Sequence, residues 1–445
     1  MEKGKNHRRA VSVPHGQLTR FGHMGAMAGA IAGNMAMHGL TQLGKGQRPS
    51  LLDLMLTPHN INRVTNQLAK LRGAAMKIGQ LISMDTGDFF SPDLALIMAR
   101  LREDADSMPP NQLKKVLNAE WPTNWLNAFE SFDVHPIAAA SIGQVHRAQL
   151  KDGRCLAIKV QYPGIKDSID NDIKNVGILI KMSKILPKSF ALASYLEEAR
   201  NQLHLETDYE IEAGNLTRFG NLLNDTPEFI VPKVHADWST PSILAMDYLE
   251  GSSIEDSTTM PQLERDKIAL RLIKLNLREL FTFGVMQTDP NFANYKYQVD
   301  TQKIVLLDFG ATRNIAPHVV DQYRQLLSAG LSNDNVDLLK IAQEIGFFDA
   351  TTRGEHCKII LQMMQLVFEA LRRKGKINFK NHEIAKQLQV EGFALIKDQF
   401  IPPPLPIDVL LLQRKFVGMF LLCAKLGASV DVFGLLSLHL ERQIK

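Results

Sequence analysis

Apolar residues recur three and four apart from Ile61 through Val64, Leu68, Leu71, Ala75 and Ile78 to Ile82. That single stripe predicts a long helix starting near Thr57. Lys77 and Gln80, three apart, share a face beside it. Gly73 and Gly79 each weaken such a helix by about 1 kcal/mol relative to Ala, so a close neighbour is expected there. Further helices are predicted over Pro92–Arg102 and Pro110–Leu117. Near residue 135 the period shortens towards two. Val145 and Ala148 fall in a strand, Lys151-Asp152-Gly153-Arg154 turns the chain, and Cys155–Val160 returns as its partner. Ala191–Leu223 reads as helix, Phe229–Asp237 and Ile243–Tyr248 as strands, and Leu249–Ser253 as a linker. Helices dominate the remainder except for one hairpin. Tyr295, Tyr297 and Val299 alternate with polar residues, Asp300-Thr301-Gln302 turns, and Ile304–Leu307 is a buried strand that delivers Asp308 at its end.

Composition keeps this pattern within ordinary bounds. With 445 residues, 45% hydrophobic and 22% charged, the chain is long enough for about two to three soluble domains. The net charge of +4 is unevenly placed, because residues 1–50 carry seven Lys/Arg against the single acid Glu2. This excludes a nucleic-acid-binding body and leaves either a head that touches anionic lipid or an acidic partner, or a solvated basic tail. Met24–Leu40 is small and apolar, with Gly25, Gly29 and Gly33 on one helix face. Such spacing lets helices approach closely in membranes, although the run is short for a span and holds Asn34 and His38. The apolar segment Leu405–Leu426 is interrupted by Asp408, Gln413, Arg414 and Lys415. Cys155, Cys357 and Cys423 form neither a pairing nor a metal spacing. With no apolar leader after Met1, the expected placement is cytoplasmic, peripheral on an inner membrane as in a bacterial-type chain, with a mitochondrial one left open.

The candidate chemistry concentrates between Gln287 and Arg313. Asp289 precedes Asn294 by five positions, and Asp308 opens Asp308-Phe309-Gly310. Phosphoryl transfer needs one carboxylate to orient a nucleophile, and an Asn and an Asp to hold magnesium on phosphates. Lys159 in Leu156-Ala157-Ile158-Lys159 occupies the place of the strand lysine that neutralises nucleotide phosphates. Acidic partners for it lie in Glu206–Glu212. On one helix Glu206 and Glu212 are roughly 120° apart, so they are expected to serve different partners. Glu212 is assigned to Lys159. A glycine-rich phosphate loop is missing from its usual place, where the chain has Ala138-Ala139-Ala140-Ser141-Ile142-Gly143. Only Gly143 remains, so a nucleotide's terminal phosphate is expected to be held differently.

Taken together, these motifs resemble the UbiB/AarF-domain family of atypical kinases, in the branch like the mitochondrial coenzyme Q biosynthesis kinases. Lys77-Ile78-Gly79-Gln80, Ala138-Ala139-Ala140-Ser141, Glu206-Thr207-Asp208, and Asp289 through Asn294 with Asp308-Phe309-Gly310 carry the resemblance, from about residue 50 to beyond 400. It implies an α+β, bilobal, protein-kinase-like fold with an N-terminal helical extension packed over the active site. The expected divisions are a head (1–50), the extension (51–130), a small lobe (131–250) and a large lobe (251–445). ATP or ADP with Mg2+ would be bound, with Asp289 as catalytic base and Asn294 and Asp308 on the metal. Lys159 would lie on the phosphates and Met246 and Tyr248 in the adenine hinge. Lys77 and Gln80 would belong to the extension, which Glu206 ties to the small lobe. The implied activity is that of an ATPase or small-molecule kinase supporting ubiquinone or related prenyl-lipid biosynthesis. Membrane lipid, a quinone precursor and other enzymes of that synthesis are the expected partners, and a nucleotide- and lipid-binding pseudokinase scaffold is the alternative. Gln287 and Thr288 stand where a protein kinase has His-Arg before the catalytic Asp.

Overall fold

The computed structural model describes residues 108–441 apart from 141, 184–191, 382, 399, 401, 402 and 404, together with 73, 74, 77–79 and 81. The head, the Pro92–Arg102 helix, Gln80 and Ser141 therefore lie outside the described residues. Of the Ile61–Ile82 stripe, the six described positions between Gly73 and Leu81 are all helical. The chain forms two compact units, one holding the described residues up to Gly214 with Lys233–Tyr248, the other Asn215–Pro232 with the chain from Leu249. Residues 215–232, assigned to the small lobe on sequence, thus cluster with the second unit.

The first unit is built on an antiparallel sheet behind helix α1 (Pro110–Glu120). Its strands are β1 (Phe129–Phe132), β2 (Ala138–Ala139), β3 (Gly143–Leu150), β4 (Cys155–Gln161) and, later in the chain, Ile243–Asp247. β1 and β2 both pair with β3, β1 opposite its C-terminal end and β2 opposite its N-terminal end. β4 runs between β3 and Ile243–Asp247 and is buried from Leu156 to Gln161, as a strand flanked on both edges under a covering layer should be. Gly153, at φ +93°, makes the β3–β4 turn in a backbone region that glycine enters without strain. Trp121, Trp125, Phe129, Phe132 and Trp238 form an aromatic cluster at one end, with ring centroids 4.7–6.5 Å apart.

Three helices follow: α2 (Ile165–Ser183), α3 (Leu192–Glu206) and α4 (Tyr209–Leu222). α2 has no counterpart among the elements predicted from sequence, although Ile169, Ile173 and Val176 form its buried stripe. The helical region predicted over Ala191–Leu223 is divided into two helices. Asp208 ends one helix and caps the next, its Oδ1 accepting from the Glu210 N–H at 3.0 Å, the preferred role of Asp at a helix start. The strand predicted over Phe229–Asp237 is reduced to β5 (Phe229–Ile230). Pro232 has no N–H to continue a ladder, and Ala236–Trp238 is a 3-10 turn before β6 (Ile243–Asp247).

In the second unit the predicted linker contains β7 (Ser252–Ser253), followed by α5 (Gln262–Arg278). α5 passes into a π-helical turn, Glu279–Phe283, that ends on Gly284. Next come β8 (Val285–Gln287), β9 (Tyr295–Gln298), β10 (Lys303–Leu306) and β11 (Thr312–Asn314). The larger sheet has the order β5-β10-β9-β7, and β8 pairs with β11. The predicted hairpin is present, but its first strand stops at Gln298. Val299 is exposed in the turn, which Gln302 closes at φ +54°. Helices α6 (Pro317–Ser332), α7 (Asn335–Ile345) and α8 (Gly354–Arg372), then α9 (Glu383–Lys397), α10 (Ile407–Leu426) and α11 (Val432–Glu441), supply most of the rest, with a short antiparallel pair, Ile377–Asn378 and Ser429–Val430, between them. Their core joins Met286, Tyr323, Leu338, Ile341, Phe368 and Leu412.

Candidate functional site

In the first unit the geometry centres on Lys159. Strand alternation directs it from the middle of β4 to one face of the sheet, where both oxygens of Glu212 lie 2.8 Å from its Nζ. Lys159 is 7% exposed and Glu212 2%, which excludes a solvated edge lysine. The Tyr209 ring lies 5.1 Å from the ammonium and adds a cation–π contact. Glu206 takes a different partner, the buried Lys77 of the helical stretch, in a second, partly buried ion pair. The sequence argument placed the two glutamates around one helix axis. They occupy different helices, and the Thr207-Asp208 break separates them.

The alanine segment is not an open phosphate loop. Ala138 and Ala139 are strand residues, exposed and paired with Val145 and Gln144, and Ala140 N–H donates to the Gly143 carbonyl at 2.9 Å. Gly143 is required by packing, because a Cβ there would lie 2.4 Å from the Val160 carbonyl oxygen and 2.9 Å from the Tyr209 hydroxyl. Met246 is buried on β6 opposite Ala157. The Tyr248 N–H is spent on the Cys155 carbonyl at 2.9 Å and Arg147 covers its ring at 4.5 Å, so Tyr248 can offer a base only its carbonyl and side chain.

In the second unit the strands bring Asp289, Asn294 and Asp308 together. Tyr295 pairs with Leu306, and one step beyond the ladder the Leu307 N–H donates to the Asn294 carbonyl at 3.0 Å, which sets Asn294 beside Asp308. Asn291 caps the intervening 3-10 turn. Asn294 Nδ2 donates to Asp289 Oδ2 at 3.2 Å, which turns the Asn294 side-chain carbonyl away from Asp289 as an acceptor. Asp308 Oδ1 accepts from the Gly310 N–H at 2.9 Å. Phe309 packs on Phe219 with centroids 4.6 Å apart, and its carbonyl accepts from Asn215. Thr288 ties Asp289's approach to the Ala311 carbonyl through its N–H and hydroxyl.

Sequence reasoning missed the helix that holds this segment. On α10, Arg414 Nη2 donates to Asp289 Oδ1 at 3.0 Å. Lys415 Nζ donates to Gln287 Oε1 at 3.0 Å and to the Tyr295 hydroxyl at 2.9 Å. Pro290 presses so closely on Gly418 that a Cβ would come 2.2 Å from it. Burial pushes the Glu279 carboxyl up to about 7, against the attraction of Lys415 3.9 Å away. Burial alone would lower the Lys415 ammonium, but Tyr295 and Glu279 outweigh it and raise it. The available signal was a pair of adjacent cations inside an otherwise apolar helix. Such charges are buried only when partnered.

Asn294 and Asp308 offer oxygen donors, which suit a hard divalent ion such as magnesium. Among the described residues no group of three or more His, Cys, Asp or Glu could hold a metal. A two-ligand site fits an ion whose remaining positions are filled by phosphate and water.

The first unit thus holds a buried strand lysine paired with a helix glutamate, and the second an Asp-Asn-Asp set at the end of a hairpin. Residues 100–342 match the ABC1 atypical kinase-like domain, and the chain belongs to that family. It is 36% identical to the atypical kinase COQ8, mitochondrial, of Saccharomyces cerevisiae, over 96% of this chain and 86% of the relative. It is 34% identical to the atypical kinase COQ8B, mitochondrial, of Rattus norvegicus, over 95% and 80%. The solved structure of the Rv3197–erythromycin complex from Mycobacterium tuberculosis shares the fold, with a TM-score of 0.59 at 24% identity over 84% of this chain and 94% of that one. The expected α+β kinase-like fold is therefore correct. These relatives are mitochondrial, and they give the expected bacterial-type placement no support. No helix among the described residues is long and apolar enough to cross a membrane.

Proposed function

We propose that this atypical kinase binds Mg-ATP and transfers its terminal phosphoryl group to water or a small molecule, in support of ubiquinone biosynthesis. The observation that carries the reading is the orientation of Asp289, held at one oxygen by Arg414 and at the other by Asn294. A carboxylate fixed in this way, next to two oxygen ligands, suits the task of aligning a hydroxyl nucleophile. Lys159, held by Glu212, would lie on the nucleotide phosphates, and that ion pair is the one kinase catalysis requires to be formed. Asn294 and Asp308 would hold the magnesium, which neutralises charge on the phosphates when bound. The ubiquinone context rests on the COQ8 relatives, and association with membrane lipid or with other enzymes of quinone synthesis extends the same reading.

The test uses the purified full chain. Asp308→Asn should abolish metal-dependent nucleotide binding, whereas Asp289→Asn should keep binding and lose ATP turnover. Unchanged turnover in both variants would overturn the proposal. The strand pairing of Ala138 and Ala139 and the Ala140–Gly143 hydrogen bond favour a second reading, a nucleotide- and lipid-binding pseudokinase scaffold. Phosphate release measured with and without liposomes carrying a phenolic quinone precursor separates the two, since a scaffold would bind nucleotide and release none.

A further inference from the structure

We propose that Lys415 is a positioning residue for the reaction, an ammonium that clamps both ends of the catalytic segment to helix α10. The inference rests on the reading of Asp289 as the nucleophile-orienting carboxylate. Gln287 lies two residues before Asp289 and Tyr295 directly follows Asn294, so the two hydrogen bonds of Lys415 bracket the whole Asp289–Asn294 stretch. All three side chains are buried, Lys415 at 2% exposure. Gln287 Nε2 has no partner among the described residues, so Lys415 is what fixes that amide. Glu279, delivered by the π-helical turn, supplies the nearest carboxylate. π-turns of this kind are frequent at functional sites.

Energetics favour a positional role. A buried ammonium with a distant counter-ion is weak evidence for stability, because well-packed apolar side chains of similar volume are often neutral or better. What an apolar residue cannot do is hold two donor-seeking oxygens from opposite ends of one loop. Gln287 stands where a protein kinase has a histidine, and its carbonyl-to-ammonium bond replaces whatever anchor that histidine would make. Arg414 and Gly418 fix Asp289 and Pro290 from the same helix, so α10 acts as a template along the segment.

The test compares Gln287→Met, Tyr295→Phe and Lys415→Met with Asp289→Asn in the full chain, reading kcat for ATP turnover, nucleotide Kd and thermal midpoint separately. A clamp predicts that Gln287→Met and Tyr295→Phe lower kcat about tenfold, with nucleotide Kd within about threefold and the midpoint little changed, because small misplacements of a reacting group cost that much or more. Adding Lys415→Met to Gln287→Met should then lower kcat by less than the product of the single losses. Wild-type kcat in both mild variants, with Asp289→Asn inactive, overturns the clamp. So does a loss of kcat that only follows a loss of fold. Should Lys415→Met not fold, the two mild variants decide. Full turnover in Asp289→Asn would overturn the underlying reading of the site instead.

Discussion

Removing Glu212 while leaving Lys159 in place isolates the ion pair at the centre of the first unit. In Glu212→Leu the ammonium loses two carboxylate oxygens at 2.8 Å, and β3, β6 and their cover keep it from water. Breaking a buried pair on one side costs about 3–5 kcal/mol. The Tyr209 ring at 5.1 Å returns about 1 kcal/mol of that at most. Replacing both partners, as in Lys159→Met/Glu212→Leu, removes both buried charges and should restore stability to within about 1 kcal/mol of the parent. The three tryptophans of the chain all belong to the first unit's aromatic cluster, so their fluorescence during urea unfolding reports that unit. With a slope of about 2 kcal/mol per M, the single variant should lower the midpoint by about 2 M and the double variant by about 0.5 M or less. Nucleotide binding should fail in both, which separates the pair's functional role from its cost. A single variant as stable as the parent, or a double variant no better than the single one, would refute the reasoning.

Other consequences are equally direct. The Glu279 carboxyl titrates at about 7 in the folded chain against 4.5 unfolded, so the folded state binds the extra proton between those values. Its contribution to stability is therefore fully present below 4.5 and is lost as pH rises to 7. Glu279→Gln should flatten the thermal midpoint across that window and favour the variant at pH 8 by about 3 kcal/mol. Gly143→Ala should cost about 1–3 kcal/mol by overpacking against Val160 and Tyr209, read as a lowered fluorescence midpoint. Lys77→Met removes one cation from the partly buried Glu206 and should destabilise by about 1–2 kcal/mol, more than Lys77→Met/Glu206→Leu does. Ala139→Gly loosens the exposed β2 strand and should change ATP affinity measured by titration, while the fluorescence midpoint falls by less than about 1 kcal/mol equivalent.

How much was legible in the sequence depended on how local the determining contacts are. The hairpin that delivers Asp308 and sets Asn294 beside it is written in consecutive residues, with a period-two pattern, a turn and a buried run, and the structure follows it to within one residue at Val299. Glu206 and Glu212 were separable, yet the reason given for it failed. Asp208 caps a new helix, and a capping residue inside an apolar period is easily absorbed into one long helix. The strand over Phe229–Asp237 failed for a reason that was visible, since Pro232 removes a ladder donor. The role of Gly143 was not visible at all. Its need for space comes from the Val160 carbonyl of β4 and from Tyr209, which returns to β3 only after two helices.

The cations of α10 show what a linear reading loses. As interruptions of an apolar run, Arg414 and Lys415 excluded a membrane span and were asked nothing further. In the folded unit, Arg414 and Gly418 lie four apart on one helix face, against Asp289 and Pro290, while Lys415 beside them reaches Gln287 and Tyr295. Each buried cation costs several kcal/mol in desolvation unless its partners are in place. Those partners are the Gln287–Tyr295 segment and Glu279 before it, more than a hundred residues earlier. The segment and the helix are thus mutually dependent. Without the segment, α10 would carry two unpaired charges in a core, and without α10, Asp289 would lose the guanidinium that orients it. The Asp289–Asn294 loop, which looks self-contained in sequence, is in this chain half of a two-part structure, and the placement of its side chains is set as much by residues 414–418 as by its own motif.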